Sequence, residues 1–300
     1  MTGHFFCQHY FFQFIQFKTA SGLSRATIDS YTFALRDYMH FISAIKEYAK
    51  DYANDSAVVD YFASIAKKGY AQATLRDKYI AIKCYYQWAH DTYGLQMPIM
   101  PKKPPLPKNK ARCFTDEEIS TILNYLNKRK SESFTGLRDY TIVCMLLGTG
   151  IRRAELLGIT HINKYYITVC GKGKKIRQVP IAAALRSVLN TYVIERNKIA
   201  VCDKLIVTQD GRPMTVNGLR AVFTRLSKNT CIGGRRFSAH TFRHTYATSF
   251  LKNNGDLASL QQILGHADIA TTSVYLHWND ETAKMANEKA NPLNNFKIFF

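Results

Sequence analysis

Ser238–Leu276 reads SAHTFRHTYATSFLKNNGDLASLQQILGHADIATTSVYL, and the rest of the 300-residue chain is organised around it. His240 and Arg243 lie three residues apart, which makes them neighbours on one face of a helix. Asp256 is placed to N-cap a second helix, whose apolar Leu257, Leu260, Ile263 and Leu264 bury one side before Gly265 stops it. His266 is then delivered at a turn rather than inside a core. Asp268 is placed to cap a further helix that carries Tyr275 two turns along. Two histidines, an arginine and a tyrosine spaced in this way suit chemistry on a phosphate group.

Bulk properties agree with that reading. Forty-one Lys and Arg against 22 Asp and Glu give a formal charge of +19 and a pI near 9.6, so a polyanionic partner is expected, with nucleic acid the first candidate. The length and 46% hydrophobic content suit two globular domains. Seven cysteines, an odd number without C-x-x-C spacing, read as unpaired thiols in a reducing, cytoplasmic setting. The aromatic run His4–Phe17, HFFCQHYFFQFIQF, lacks a basic leader and a cleavage site and is too short to span a bilayer, so it reads as a packed first helix and no membrane partner is expected.

Along the chain, Ser24 N-caps a helix through Ile45, and helical spacing recurs over Ser56–Lys67 and Gln72–Tyr93, giving a small all-α domain over residues 1–97. Residues 98–112, PIMPKKPPLPKNKAR, hold five of the eight prolines and form an extended basic linker. A catalytic domain is expected over 113–287. It opens on the capping box Thr115-x-x-Glu118 and continues into an apolar helix, Leu137–Leu147, that ends at Gly148-Thr149-Gly150 and turns at Arg152. Tyr165–Cys170 and Lys175–Pro180 read as two strands joined by Gly171–Lys174. Helices follow over 182–195 and 216–228, with a short strand at Leu205–Thr208 between them. A tail over 288–300 ends apolar, and both docking on its own core and passing to a neighbouring protomer remain open for it. The fold class is therefore mainly α with a small β-sheet.

Taken singly, any of 18 tyrosines and nine histidines reads as packing or surface. Jointly, TGIRRAEL, GKGKK, HTFRHTYAT, LGH and Tyr275 occur in one order with set gaps, and in this the chain resembles the tyrosine recombinases of the phage integrase family. The resemblance runs over nearly the whole chain. It implies an N-terminal SAM-like core-binding domain and a C-terminal catalytic domain that close on double-stranded DNA. It also implies catalytic roles for Arg152, Lys172, His240, Arg243, His266 and the nucleophile Tyr275, with Glu155 holding the site. Arg153 and Lys174 are the rivals of Arg152 and Lys172, and His244 and Tyr246 read as scaffold.

The chemistry explains why these residue types are needed. Non-bridging oxygens of a phosphodiester repel a nucleophile, so catalysis requires fixed positive charge there. Arginine offers a permanent planar fork matched to two such oxygens, and Arg152 and Arg243 supply it. His240 and His266 can donate to the same oxygens or move protons near neutral pH. The resemblance implies a 3′-phosphotyrosyl intermediate, Lys172 as acid for the leaving 5′-oxygen, religation without ATP, and neither cofactor nor metal. It further implies a homotetramer on two DNA sites, acting through a Holliday junction alone or with a second recombinase. The length favours compact Xer-type or mobile-element enzymes. A type IB topoisomerase-like enzyme and a DNA-binding regulator on a recombinase scaffold are the alternatives.

Overall fold

The computed structural model describes residues 3–45, 56–105, 113–171, 175–234 and 236–265, with the side chains of 3–9 excepted. The chain divides into two compact units, Met1–Asn109 and Lys110–Phe300.

The first unit is helical: α1 (Gly3–Ala20), α2 (Arg25–Ser43), α3 (Ala57–Lys67) and α4 (Gln72–Tyr93). Ser24 caps α2 by accepting from the Thr27 N–H, as expected, and Gly94 ends α4 in the left-handed region. The core is aromatic. Phe14, Tyr38, Tyr61 and Tyr85 are almost completely buried, and the Tyr38 and Tyr86 hydroxyls satisfy each other at 2.8 Å. Lys78 is also buried, its ammonium bonded to Asp37 Oδ2 at 2.5 Å and to the Tyr61 hydroxyl at 3.1 Å. Among the described residues no helix is long and apolar enough to cross a membrane.

The second unit is built round α6 (Phe134–Thr149), which follows α5 (Asp116–Arg129). The Thr115–Glu118 capping box forms in both directions, at 3.3 and 2.8 Å. Ile142, Val143, Met145 and Leu146 of α6 lie fully inside the core, so this helix is covered on most sides rather than on one stripe. A short α7 (Arg153–Gly158) leads to the antiparallel hairpin β1 (Tyr166–Cys170) and β2 (Ile176–Pro180). After it come α8 (Ala183–Ile199), α9 (Val216–Thr230), α10 (Ala239–Lys252) and α11 (Leu257–Leu264). Asp139 of α6 is buried and bound by Arg138 and by Arg225 of α9, which ties those two helices together.

The strand expected at Leu205–Thr208 is not one. A single bridge, Val207↔Pro213, stands there, because the chain reverses at once through Gly211 and the neighbouring N–H groups are drawn elsewhere, Leu205 N–H to Ile159 O at 2.8 Å and Val207 N–H to the Tyr192 hydroxyl at 3.3 Å. The linker residues 98–105 have no regular secondary structure, as their prolines require. Residues 106–112, the turn 172–174 and everything after Gly265, including Lys172, His266, Asp268, Tyr275 and the tail, lie outside the described residues.

Gly150 fixes how α6 ends. Its φ of +61° is left-handed, and a Cβ there would stand 2.4 Å from the Tyr246 ring and 2.8 Å from Leu264. Gly150→Ala therefore adds a backbone penalty to a clash and is expected to destabilise the protein by about 2–4 kcal/mol. Chemical denaturation checks this, and an unchanged midpoint contradicts it.

Candidate active site

The site forms where three chain turns meet: the end of α6 into α7, strand β2, and the end of α11. Arg152 is the N-cap residue of α7, so its backbone is extended and its side chain leaves the helix at the turn. Glu155, one turn on, accepts from the Arg152 backbone N–H at 2.8 Å and from Arg152 Nη1 at 2.9 Å. Arg153 is exposed, and no contact ties it to this carboxylate.

Glu155 is only 2% exposed. A buried carboxylate must be paired, and its chief partner is Arg177 of β2, whose Nη1 and Nη2 donate to Oε1 and Oε2 at 2.7 and 2.9 Å. Burial opposes the charge on Glu155, but the hydrogen bonds from Arg177 and Arg152 outweigh it and bring the carboxyl from 4.5 down to about 2. The sequence reading missed Arg177. A period-two signal was present, because Arg177 stands two residues before Val179 and so shares its face, the core side of the hairpin, opposite Val169.

The third turn supplies acceptors. The last carbonyls of a helix have no partner within it and carry its negative dipole end. At the end of α11, Arg177 Nε donates to Ile263 O at 2.9 Å, Arg243 Nη2 to Leu264 O at 2.8 Å, and Arg152 Nη1 to the same Leu264 O at 3.2 Å. Arg152 Nη2 reaches Gly265 O at 3.4 Å. Arg243, buried on α10, also donates from Nη1 to Gly150 O at 2.7 Å. Arg152 and Arg243, nearly a hundred residues apart in sequence, thus converge on one oxygen, two residues before His266.

His240 stands one turn before Arg243 on α10 but is exposed, whereas Arg243 points inward. Partial burial of the ring, then the Arg243 charge, lowers the His240 pKa from its ordinary value and favours the neutral imidazole. Its Nε2 lies 2.7 Å from Nε2 of His244, one turn on, with the rings edge to face. His244, read from sequence as scaffold, is therefore a direct neighbour of the candidate histidine.

Residues 112–282 match the family model "Phage integrase family", and residues 11–92 match "Phage integrase, N-terminal SAM-like domain". The chain belongs to the phage integrase family of tyrosine recombinases. It is 30% identical over 284 residues to tyrosine recombinase XerD of Halalkalibacterium halodurans, covering 88% of this chain and 91% of that protein. With tyrosine recombinase XerC of Listeria welshimeri it shares 28% identity over 89% of this chain and 91% of the relative. Among solved structures, XerA recombinase aligns over 95% of this chain and 99% of that one at 27% identity, with a TM-score of 0.52. The Tn1549 transposon integrase in complex with a circular intermediate DNA aligns over 96% and 99% with a TM-score of 0.73, a likeness of fold at 17% identity. The recombinase fold expected from the sequence, helical with one small hairpin, is the fold observed.

The folded pKa of Glu155 lies below its unfolded value, so the stabilisation it brings is complete above about pH 4.5 and is lost as pH falls toward 2. Glu155→Gln is expected to cost on the order of 3 kcal/mol at neutral pH. Unfolding free energies measured across pH should show the gap between variant and parent closing below pH 4.5, and a constant gap contradicts the ion-pair account.

Proposed function

We propose that this chain is a site-specific recombinase that cuts and rejoins double-stranded DNA through a covalent tyrosyl link, with Tyr275 as nucleophile. The phenol of Tyr275 gives up its proton to water, its oxygen attacks the scissile phosphorus, the bond to the 5′-oxygen breaks, and Lys172 gives that oxygen its proton. The 3′-phosphotyrosyl bond keeps the energy of the phosphodiester, so a 5′-hydroxyl from another strand reverses the step without ATP. Arg152 and Arg243 hold the non-bridging oxygens as negative charge builds in the transition state. His240 and His266 donate to those oxygens, and Glu155 keeps Arg152 in place.

The observation that carries this reading is the convergence of Arg152 and Arg243 on Leu264 O. Two guanidinium forks drawn to one point, partly open at Arg152, make a receptor for one phosphate rather than two separate surface charges. The match to XerD- and XerC-type relatives over nearly their full length supports the compact Xer-type form. In that form a homotetramer on two DNA sites, alone or with a second recombinase, performs two exchanges through a Holliday junction, in chromosome dimer resolution or in the integration and excision of a mobile element. Light scattering of the DNA complex reads the assembly, and a monomer on every duplex tested rules the tetramer out.

Covalent trapping tests the chemistry. Nicked suicide duplexes carrying DNA that flanks the protein's own gene, together with a randomised pool, should give a protease-sensitive adduct that Tyr275→Phe abolishes. Sequencing the trapped DNA then gives the site. Tight duplex binding without any adduct points instead to a DNA-binding regulator on this scaffold.

A further inference from the structure

The three candidate turns share one residue that the proposed chemistry leaves without a role. Arg177 donates to both oxygens of Glu155 at 2.7 and 2.9 Å and to Ile263 O at 2.9 Å, so each of its three nitrogens is engaged by the protein. Its side chain is 16% exposed and turned toward these protein acceptors. A Cβ on Gly265 would stand 3.0 Å from Arg177 Cδ, Cζ and Nε, so the backbone that leads into His266 lies against this guanidinium. Gly265 has a φ of +63°, and glycine meets both demands of the position. Arg177 also lies on β2, five residues after Lys172 in the sequence.

We propose that Arg177 is a positioning residue for strand cleavage: it clamps the Arg152 turn, through Glu155, and the Leu264–Gly265 turn to the hairpin strand before DNA arrives. This inference rests on the recombinase reading above. The clamp requires arginine. A lysine supplies the charge but has one flexible nitrogen, so it cannot hold two carboxylate oxygens and a carbonyl in three fixed directions. A lost clamp leaves the fold and the DNA-facing charge intact and displaces the groups that act on the phosphate. Misplacement on the scale of 1 Å costs about 10²-fold in rate.

Single-turnover trapping on the suicide duplex that the parent cleaves tests this. Arg177→Lys is expected to form the Tyr275 adduct about 10²-fold more slowly while its affinity for the same duplex stays at the parent value and its thermal transition, at a lower temperature, stays cooperative. Arg177→Met should make the adduct rate rise with pH, because Glu155 then faces only the Arg152 charge directly, with Arg243 beyond the shared Leu264 carbonyl, and takes up a proton more readily. Glu155→Gln in that background should remove the pH step. Amide exchange over residues 257–265, which needs no substrate, should be faster in Arg177→Lys than in the parent. An adduct rate restored by lysine, or unchanged exchange at the end of α11, overturns the positioning role and reduces Arg177 to charge compensation. No adduct from the parent itself overturns the recombinase reading, and this inference with it.

Discussion

A single buried carboxylate holds the site together. Glu155 cannot stay ionised inside the protein without partners, and the partners it draws, Arg152 and Arg177, come from α7 and β2, two segments that also pack on one apolar core. Arg243 joins them through the α11 carbonyls rather than through the carboxylate. Guanidinium groups repel one another, so their gathering depends on acceptors set between them. The carboxylate supplies two oxygens and the end of α11 supplies three carbonyls. The result is a cluster of three guanidinium groups held by protein acceptors, and under the proposed function such prior arrangement lowers the reorganisation that electrostatic catalysis needs.

Two glycines make this geometry possible. Gly150 ends α6 in the left-handed region and presents the carbonyl that Arg243 takes, while Tyr246 and Leu264 pack where a side chain would stand. Gly265 ends α11 in the same way and lies against Arg177. Because both helices stop so abruptly, their last carbonyls turn toward the arginines instead of toward water. The buried α6 gives the site a stiff floor, and α10 carries Arg243 and His240 across it.

Much of this was legible in the sequence because it is local. Ser24, the Thr115–Glu118 box and Asp256 announce helix starts within three residues of themselves, and each cap forms as read. The hairpin and the Gly150 and Gly265 stops follow from the same short-range chemistry. What the sequence hid is long-range. The place of Arg177 depends on Glu155, 22 residues earlier, and on Ile263, 86 residues later. A lone basic residue in a basic hairpin gives no sign of such partners. The strand at Leu205–Thr208 failed because a tight turn follows it and its N–H groups go to Ile159 O and the Tyr192 hydroxyl. His244 reads from sequence as scaffold, since a single histidine beside Arg243 is more often packing or surface, yet here its ring meets that of His240. Lys172, His266 and Tyr275 rest on the motif pattern alone.

The central claim is that Arg152 and Arg243 form one receptor for one phosphate. A crystal structure of the protein on duplex DNA carrying its trapped site tests this most directly. A single backbone phosphate is expected to accept from both guanidinium groups, with Arg177 still holding both oxygens of Glu155. A scissile phosphate bound away from either arginine, or Arg177 swung out onto the DNA, contradicts it.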